Sequence, residues 1–285
     1  MTQKISLRRP RISPLRYPGG KSTLYPLLRK TIRQMGLTGG TYVEPYAGGA
    51  GAGLALLVTE QVNHLVINDL DPAISAFWTT LKTEPNWIAE QIKNAELSVD
   101  EWKRQREIYK AADLSDVASL GFATFFLNRT NRSGVLNGGP IGGLKQEGKY
   151  KIDARFNRQN LIERIRILSL YSERISVTSR NGVDVISDYC AVDQAFIYAD
   201  PPYFEKAGSL YLNAFSDSDH RKLAETLNAN PNSPWLLTYD CVPQVDTLYP
   251  NRRRRPLRLH YSAHRVVEAT ETAILADCLP EFDDI

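Results

Sequence analysis

The feature that most constrains this chain is a strand, a glycine-rich turn and a helix, followed by a second strand that ends on an acid. Thr41-Tyr42-Val43 reads as a short strand and runs into Glu44-Pro45-Tyr46-Ala47-Gly48-Gly49-Ala50-Gly51-Ala52-Gly53, after which Leu54, Leu56, Leu57 and Val58 continue as an apolar helix. The next strand, His64-Leu65-Val66-Ile67, ends at Asn68-Asp69. Parallel strands joined through a helix need both sheet faces covered, which makes the class α/β. A glycine turn at a helix N-terminus lets backbone N–H groups approach a nucleotide, and an acid closing the second strand suits a ribose diol. The spacing between Gly48 and Asp69 is the one this geometry asks for, so an adenosine-containing cofactor is expected.

A second stretch reads the same way. Phe196-Ile197-Tyr198-Ala199 is a buried strand that stops at Asp200-Pro201-Pro202-Tyr203-Phe204. The prolines cannot extend a β-ladder and hold the chain rigid past the strand end. Asp200 and Tyr203 then offer an acceptor and a flat ring on a stiff loop, a pairing suited to a planar substrate with an amino group. The same stretch also suits a plain strand end with Tyr203 packed on a neighbour.

The remainder divides by pattern. Residues 1–14 read as a basic, proline-containing tail. Arg16-Tyr17-Pro18-Gly19-Gly20-Lys21-Ser22 precedes a helix over about Ser22–Met35 that Gly36 stops, and its spacing is not that of a Walker loop. Helical periodicity runs from Pro72 to about Arg129, with a long helix over Asp116–Asn128 and another near Gln159–Tyr171. Between them, residues 129–158 are rich in Gly, Asn, Arg and Lys and lose apolar periodicity. The expectation is an irregular loop that builds no core and either contacts nucleic acid or is a mobile surface loop. Ile175–Thr178 and Trp235–Tyr239 are strands, Ser216 and Asp219 make a capping box, and Leu257–Tyr261 pairs with Thr270–Ala276 as a hairpin. Residues 71–175 are therefore expected to be an inserted target-recognition subdomain, with 1–70 and 176–285 forming the catalytic domain.

Net charge is only +3, yet basic residues cluster before Glu44, over Arg129–Arg158 and at Arg252-Arg253-Arg254-Arg255. Such clusters suggest a polyanion partner, and each also suits a solvated surface. The three cysteines are widely spaced and the four histidines lack ligand spacing, so neither a disulfide framework nor a metal site is expected. The chain start has no apolar leader segment and no stretch reaches membrane-span length, so the expected compartment is the cytoplasm.

Taken in order, Tyr17-Pro18-Gly19-Gly20-Lys21, Glu44-Pro45-Tyr46-Ala47-Gly48-Gly49, Asn68-Asp69 and Asp200-Pro201-Pro202-Tyr203 resemble the D12 class of DNA adenine-N6 methyltransferases, the group that includes the Dam enzymes. The resemblance covers nearly the whole chain. It implies a Rossmann-like seven-stranded methyltransferase sheet with an inserted DNA-recognition subdomain, S-adenosyl-L-methionine as cofactor, and adenine in duplex DNA as substrate. It further implies that Tyr17, Gly19, Gly20 and Lys21 meet the methionine part of the cofactor, Lys21 its carboxylate. Glu44, Pro45, Tyr46, Gly48 and Gly49 would wrap the cofactor, Asp69 would hold the ribose, and Asp184 with Val185 would lie on the adenine side. Asp200 and Pro201 would take the target amine and Tyr203 would stack on a flipped base. A carboxylate and a carbonyl accepting from the N6 hydrogens push that nitrogen toward sp³, so positioning and electrostatics carry the transfer. Arg129, Asn131, Arg132, Lys145 and Lys149 are the expected DNA contacts. Dam enzymes carry a Cys-Phe-Asn-Gly-type run where this chain has Arg129-Thr130-Asn131-Arg132-Ser133-Gly134, so GATC is not assumed as the target. A catalytically silent DNA-binding relative and a methyltransferase for RNA or protein amides share much of this pattern, and a restriction or defence partner is a further possibility.

Overall fold

The computed structural model describes residues 10–16, 21–204, 215–262 and 266–281. Tyr17, Gly19 and Gly20 lie outside the described residues. Seven strands form one sheet: β1 Thr41–Glu44, β2 His64–Asn68, β3 Ile175–Thr178, β4 Ala195–Ala199, β5 Trp235–Asp240, β6 Arg253–Ser262 and β7 Val266–Leu275. Their order is β3-β2-β1-β4-β5-β7-β6. Strands β1 to β5 are parallel, whereas β7 runs antiparallel between β5 and β6. The order reverses between β1 and β4, so the glycine turn and Asp200 flank the switch point where open α/β sheets bind ligands. The fold is a Rossmann-like α/β sheet of seven strands, as the resemblance implies, and the predicted terminal hairpin is present with Leu257 paired to Glu271.

The helices follow from their caps and apolar faces. Tyr25–Gln34 (α1) begins later than predicted. Lys21–Leu24 is a 3₁₀ turn, and Pro26 in the first helical turn marks where the α-helix can start without an N–H to satisfy. Gly51–Val58 (α2) is apolar all round and buried behind β1. Pro72–Thr83 (α3), Pro85–Asn94 (α4), Val99–Ala111 (α5) and Val117–Thr130 (α6) follow, three of them capped by the side chains of Asp71, Ser98 and Asp116. Arg158–Ser169 (α7) packs against α4 and α3. Gly182–Cys190 (α8), Asp217–Ala229 (α9) and Pro243–Leu248 (α10) complete the set, with the Ser216–Asp219 capping box as expected.

Three expectations need correction. Residues 10–14 are not a loose tail, because Ile12 and Leu15 are buried and the segment lies as a strap over the molecule. Ser13 Oγ donates to the Gly49 carbonyl, and Asn128 clasps Arg16 by accepting from its N–H at 2.6 Å and donating to its carbonyl at 2.7 Å. The loop over 131–157 does contribute core. Ile152 and Phe156 are buried, and the Phe156 ring lies 5.7 Å from Phe125 and 5.9 Å from Phe126. Their spacing shows no period because each is anchored singly, while Gln146 ties the loop through Ile141, Gly143 and Ile152 backbone atoms. Finally, the four arginines over 252–255 are not a polyanion surface. Arg252 pairs with Asp277, Arg253 and Arg255 with Glu281, and Arg254 with Asp246, so the run fastens the chain end and α10 to the edge strand.

Candidate active site

The C-terminal edge of the central strands gathers three groups of residues. The first is the glycine turn between β1 and α2. Its carbonyls and N–H groups are held from both sides: Asn68 Nδ2 donates to the Pro45 carbonyl, Trp78 Nε1 to that of Gly48, and the Gly48 N–H donates to Asp69 Oδ2 at 2.8 Å. Asp69 Oδ1 accepts from the Asp71 N–H, so the carboxylate is fixed at the strand end, and burial pushes its pKa up to about 6 against those two hydrogen bonds. Asn68 is fully buried and also binds Thr178 and Arg180, locking the ends of β2 and β3 to the turn. In the sequence it stands out only as the neighbour of Asp69; a buried Asn at a strand end is the signal for such a lock.

Glu44 is buried at the end of β1 and accepts from the Gly53 N–H at 2.8 Å. Only glycine fits at 53, since a Cβ there would lie 2.6 Å from Leu65 Cδ1 and 3.0 Å from Glu44 Oε1. Burial, with repulsion from Asp200, pushes the Glu44 carboxyl up to about 8, against the Gly53 hydrogen bond. It is therefore neutral in the folded protein near pH 7. Because its folded pKa lies above the unfolded one, the stability it contributes is full below about pH 4.5 and is lost as pH rises through about 8. Glu44→Gln keeps an acceptor for Gly53 and cannot ionise when unfolded. It is expected to abolish up to about 3 kcal/mol of the decline in stability between pH 5 and 7.5. Urea unfolding at both pH values checks this; an equal decline in both proteins would show that Glu44 is already ionised when folded.

Tyr46 projects from the turn, and its ring fills the space over Gly182, where a Cβ would sit 2.3 Å from a ring carbon. Its other neighbour is Phe215, edge-on at 5.5 Å. The Tyr46 hydroxyl is buried with no hydrogen-bond partner among the described residues. Of the predicted pair at the start of α8, Asp184 is exposed, whereas Val185 is 1% exposed and its side chain belongs to the core. The expectation that the Val185 side chain meets a cofactor is corrected on that ground.

The second group surrounds Asp200, immediately after β4. Asp200 Oδ1 accepts from Thr238 Oγ1 of β5 at 2.8 Å and faces Lys21 Nζ at 3.1 Å. With Thr238 donating to Asp200, the Tyr198 hydroxyl at 2.8 Å is its donor. Lys21 Nζ also donates to both carboxylate oxygens of Glu271, at 2.8 and 2.9 Å, and to the Tyr203 hydroxyl at 3.1 Å. Tyr203 in turn donates to Glu271 Oε1 at 2.5 Å. One ammonium thus stands between two carboxylates supplied by β4's end and β7. Burial and the Glu271 charge push Asp200 up, Lys21 and Thr238 pull it down, and the balance leaves it at about 6. Pro201 is buried beside it, and Phe204 stacks on His220 with ring centroids 3.6 Å apart, which holds the far side of the proline loop.

In this arrangement the three donors of Lys21 are engaged by Glu271, Asp200 and Tyr203. Glu271 does not stand out in the sequence, where Thr270–Ala276 shows only a strand; an acid at a strand's inward position is the mark that was available.

The third group is the loop over 131–157, where DNA contacts are expected. Arg132, Lys145 and Lys149 are exposed, as are Leu144 and Tyr150. Asn131 is different: it is fully buried, its Oδ1 accepts from Trp102 Nε1 and its Nδ2 donates to the carbonyls of Val135 and Leu136. Its amide is saturated by the loop, so the expected DNA contact at Asn131 is corrected. Arg129 donates to the carbonyls of Arg155 and Pro14 and is half-buried.

A seven-stranded sheet of this order, with a glycine turn after β1, an acid after β2 and a rigid Asp-Pro-Pro-Tyr after β4, defines an α/β methyltransferase that acts on an amine. Within that class, the family model for D12 class N6 adenine-specific DNA methyltransferases matches residues 17–269, and the chain belongs to this family. It is accordingly a transferase that methylates adenine N6 in DNA. No curated protein matches the chain. Among the described residues no helix is long and apolar enough to cross a membrane, and no cluster of His, Cys, Asp or Glu could hold a metal ion.

Proposed function

We propose that the protein binds S-adenosyl-L-methionine at the glycine turn and methylates adenine flipped from a specific duplex sequence, with Asp200 as the group that receives the amine. The observation that carries this reading is the placement of Asp200. It is an acceptor fixed by Thr238 at the end of β4, next to the β1 turn across the switch point.

The turn fits the cofactor chemically. Asp69 uses each carboxylate oxygen once on backbone, which leaves further lone pairs for a diol, and Tyr46 carries a buried hydroxyl lacking a partner beside a glycine. Asp69, Tyr46 and the backbone of residues 44–49 would hold it, with Asp184 in the first turn of α8 on the adenine side. When bound, S-adenosyl-L-methionine supplies an electrophilic methyl group on sulfur. Asp200, ionised above about pH 6, accepts a hydrogen bond from the amine and with the Pro201 carbonyl draws the nitrogen lone pair out of conjugation. Lys21 and Glu271 act behind Asp200, holding its position and charge. Tyr203 gives the flipped base a ring to stack against.

Recognition belongs to residues 71–175, and α3 within that span also serves the sheet layer, since Trp78 supports the glycine turn. Arg132, Lys145 and Lys149 meet DNA from the exposed loop. The cytoplasm, where DNA is at hand, is the proposed compartment, and a restriction or defence protein the proposed associate. Modification-sensitive sequencing of DNA from cells expressing the protein tests the reading. N6-methyladenine at one recurring sequence is expected, and its absence, with methylated RNA or protein instead, would overturn it.

A further inference from the structure

Two arginine groups in this chain behave oppositely. The run over 252–255 is matched residue by residue with Asp246, Asp277 and Glu281. Arg16, Arg129, Arg155 and Arg164 also converge, yet among the described residues no carboxylate pairs with any of them. What brings them together is the strap over 10–16. Arg164 Nη1 of α7 donates to the Ser13 carbonyl at 2.6 Å, and Arg129 Nη1 of α6 reaches the next carbonyl, Pro14, at 3.4 Å. Arg129 also donates to the Arg155 carbonyl through Nε and Nη2, at 2.9 and 2.5 Å, and Arg16 Nη1 donates to the Asn131 carbonyl at 3.2 Å. Two helices, the strap and the recognition loop thus each bring a guanidinium to one place.

Holding like charges together costs free energy. Burial and the charges of Arg16, Arg164 and Arg155 pull Arg129 down to about 9, while burial and Arg155 lower Arg16. Backbone carbonyls satisfy some donors and leave the net positive charge. An anion with several acceptor oxygens offsets both deficits, and the guanidinium fork matches phosphate bidentately. The position agrees with a nucleic-acid backbone rather than a small ion alone. The strap that carries Arg16 is bound to Gly49 of the glycine turn, and the loop that carries Arg155 presents Lys145 and Lys149 to solvent.

We propose that Arg16, Arg129, Arg155 and Arg164 form a phosphate seat, built across the strap and the inserted helices, that grips the DNA backbone beside the flipped adenine. This rests on duplex DNA being the substrate. The seat reads no sequence; it sets the register from which the recognition loop reads.

The test measures duplex affinity against salt concentration for the full chain and for Arg155→Gln, Arg164→Gln and both together, with Arg174→Gln as control. Arg155 is exposed and its side chain makes no hydrogen bond to the described residues, so its replacement removes charge without packing. Arg174 pairs with Glu60 and the Asn63 carbonyl at the opposite strand ends. The slope of log affinity on log salt is expected to shrink by about 0.9 for each DNA phosphate no longer neutralised, with affinity falling alike for every sequence. Unchanged slopes in both single variants and the double variant would overturn the seat. Inorganic phosphate at fixed ionic strength distinguishes the source. If it raises the unfolding temperature of the parent protein alone while DNA slopes stay equal, the cluster holds a free phosphate and the DNA assignment is overturned. Because the readout is binding, a protein that fails to methylate DNA but shows a reduced slope on Arg155→Gln refutes the methylation reading and keeps the seat.

Discussion

Asp200→Ala is expected to lower the turnover number for adenine methylation by about a hundredfold to a thousandfold, the range seen when a preorganised charge-stabilising group is removed. The amine of adenine is a poor nucleophile while its lone pair is conjugated with the ring. A neutral methyl side chain at 200 offers nothing to draw an N6 hydrogen out of the ring plane. Loss of the fold is not the cause to expect. The Asp200 side chain is partly exposed, and Thr238 keeps Tyr198 as a partner when Asp200 is gone. Lys21 keeps both oxygens of Glu271, and the repulsion between Asp200 and Glu271 disappears. Unfolding temperature should therefore stay level or rise slightly. Transfer of a tritiated methyl group to duplex DNA measures the activity, and cofactor binding by calorimetry should persist. Turnover within tenfold of the parent would remove Asp200 from the proposed centre.

Most of the sheet was legible because strands β1, β2, β4 and β5 are buried on both faces and read as short apolar runs ending in acids or glycines. Asp69 and Asp200 were legible for the same reason: a polar residue at the end of an apolar run has to face the strand-end crevice. The interactions that complete the site were not legible, because they join positions far apart in the chain. Lys21 and Glu271 are separated by 250 residues, and Asn128 and Arg16 by 112. Charge clusters misled for a related reason. Sequence density cannot tell Arg254, paired with Asp246, from Arg129, which among the described residues meets carbonyls and other arginines. Asn131 resembles a base reader because a polar residue in a glycine-rich loop is normally exposed; it is instead enclosed between Trp102 of α5 on one side and Val135 of the loop on the other.

The Lys21–Glu271 pair makes the second large prediction. Lys21→Met leaves Asp200 and Glu271 as neighbouring carboxylates with no cation between them, and breaking a buried ion pair from one side typically costs about 3–5 kcal/mol. Like charges at this range do not both ionise, so the apparent pKa of Asp200 rises from about 6 and the acid limb of the pH–rate profile moves upward. Tyr198, Tyr42 and Glu44 also face Asp200 but are neutral near pH 7, being raised by burial, so they do not replace the lost cation. Turnover near pH 7 should fall by roughly a hundredfold, the scale of a misplaced catalytic group, and recover partly at pH 9. Removing the second charge as well, in Lys21→Met with Glu271→Gln, should bring the acid limb back down and restore part of both turnover and stability. That rescue is specific to a pair acting on Asp200. If Lys21 instead held the cofactor's carboxylate, Lys21→Met would raise KM for S-adenosyl-L-methionine at unchanged turnover, and Glu271→Gln would restore nothing.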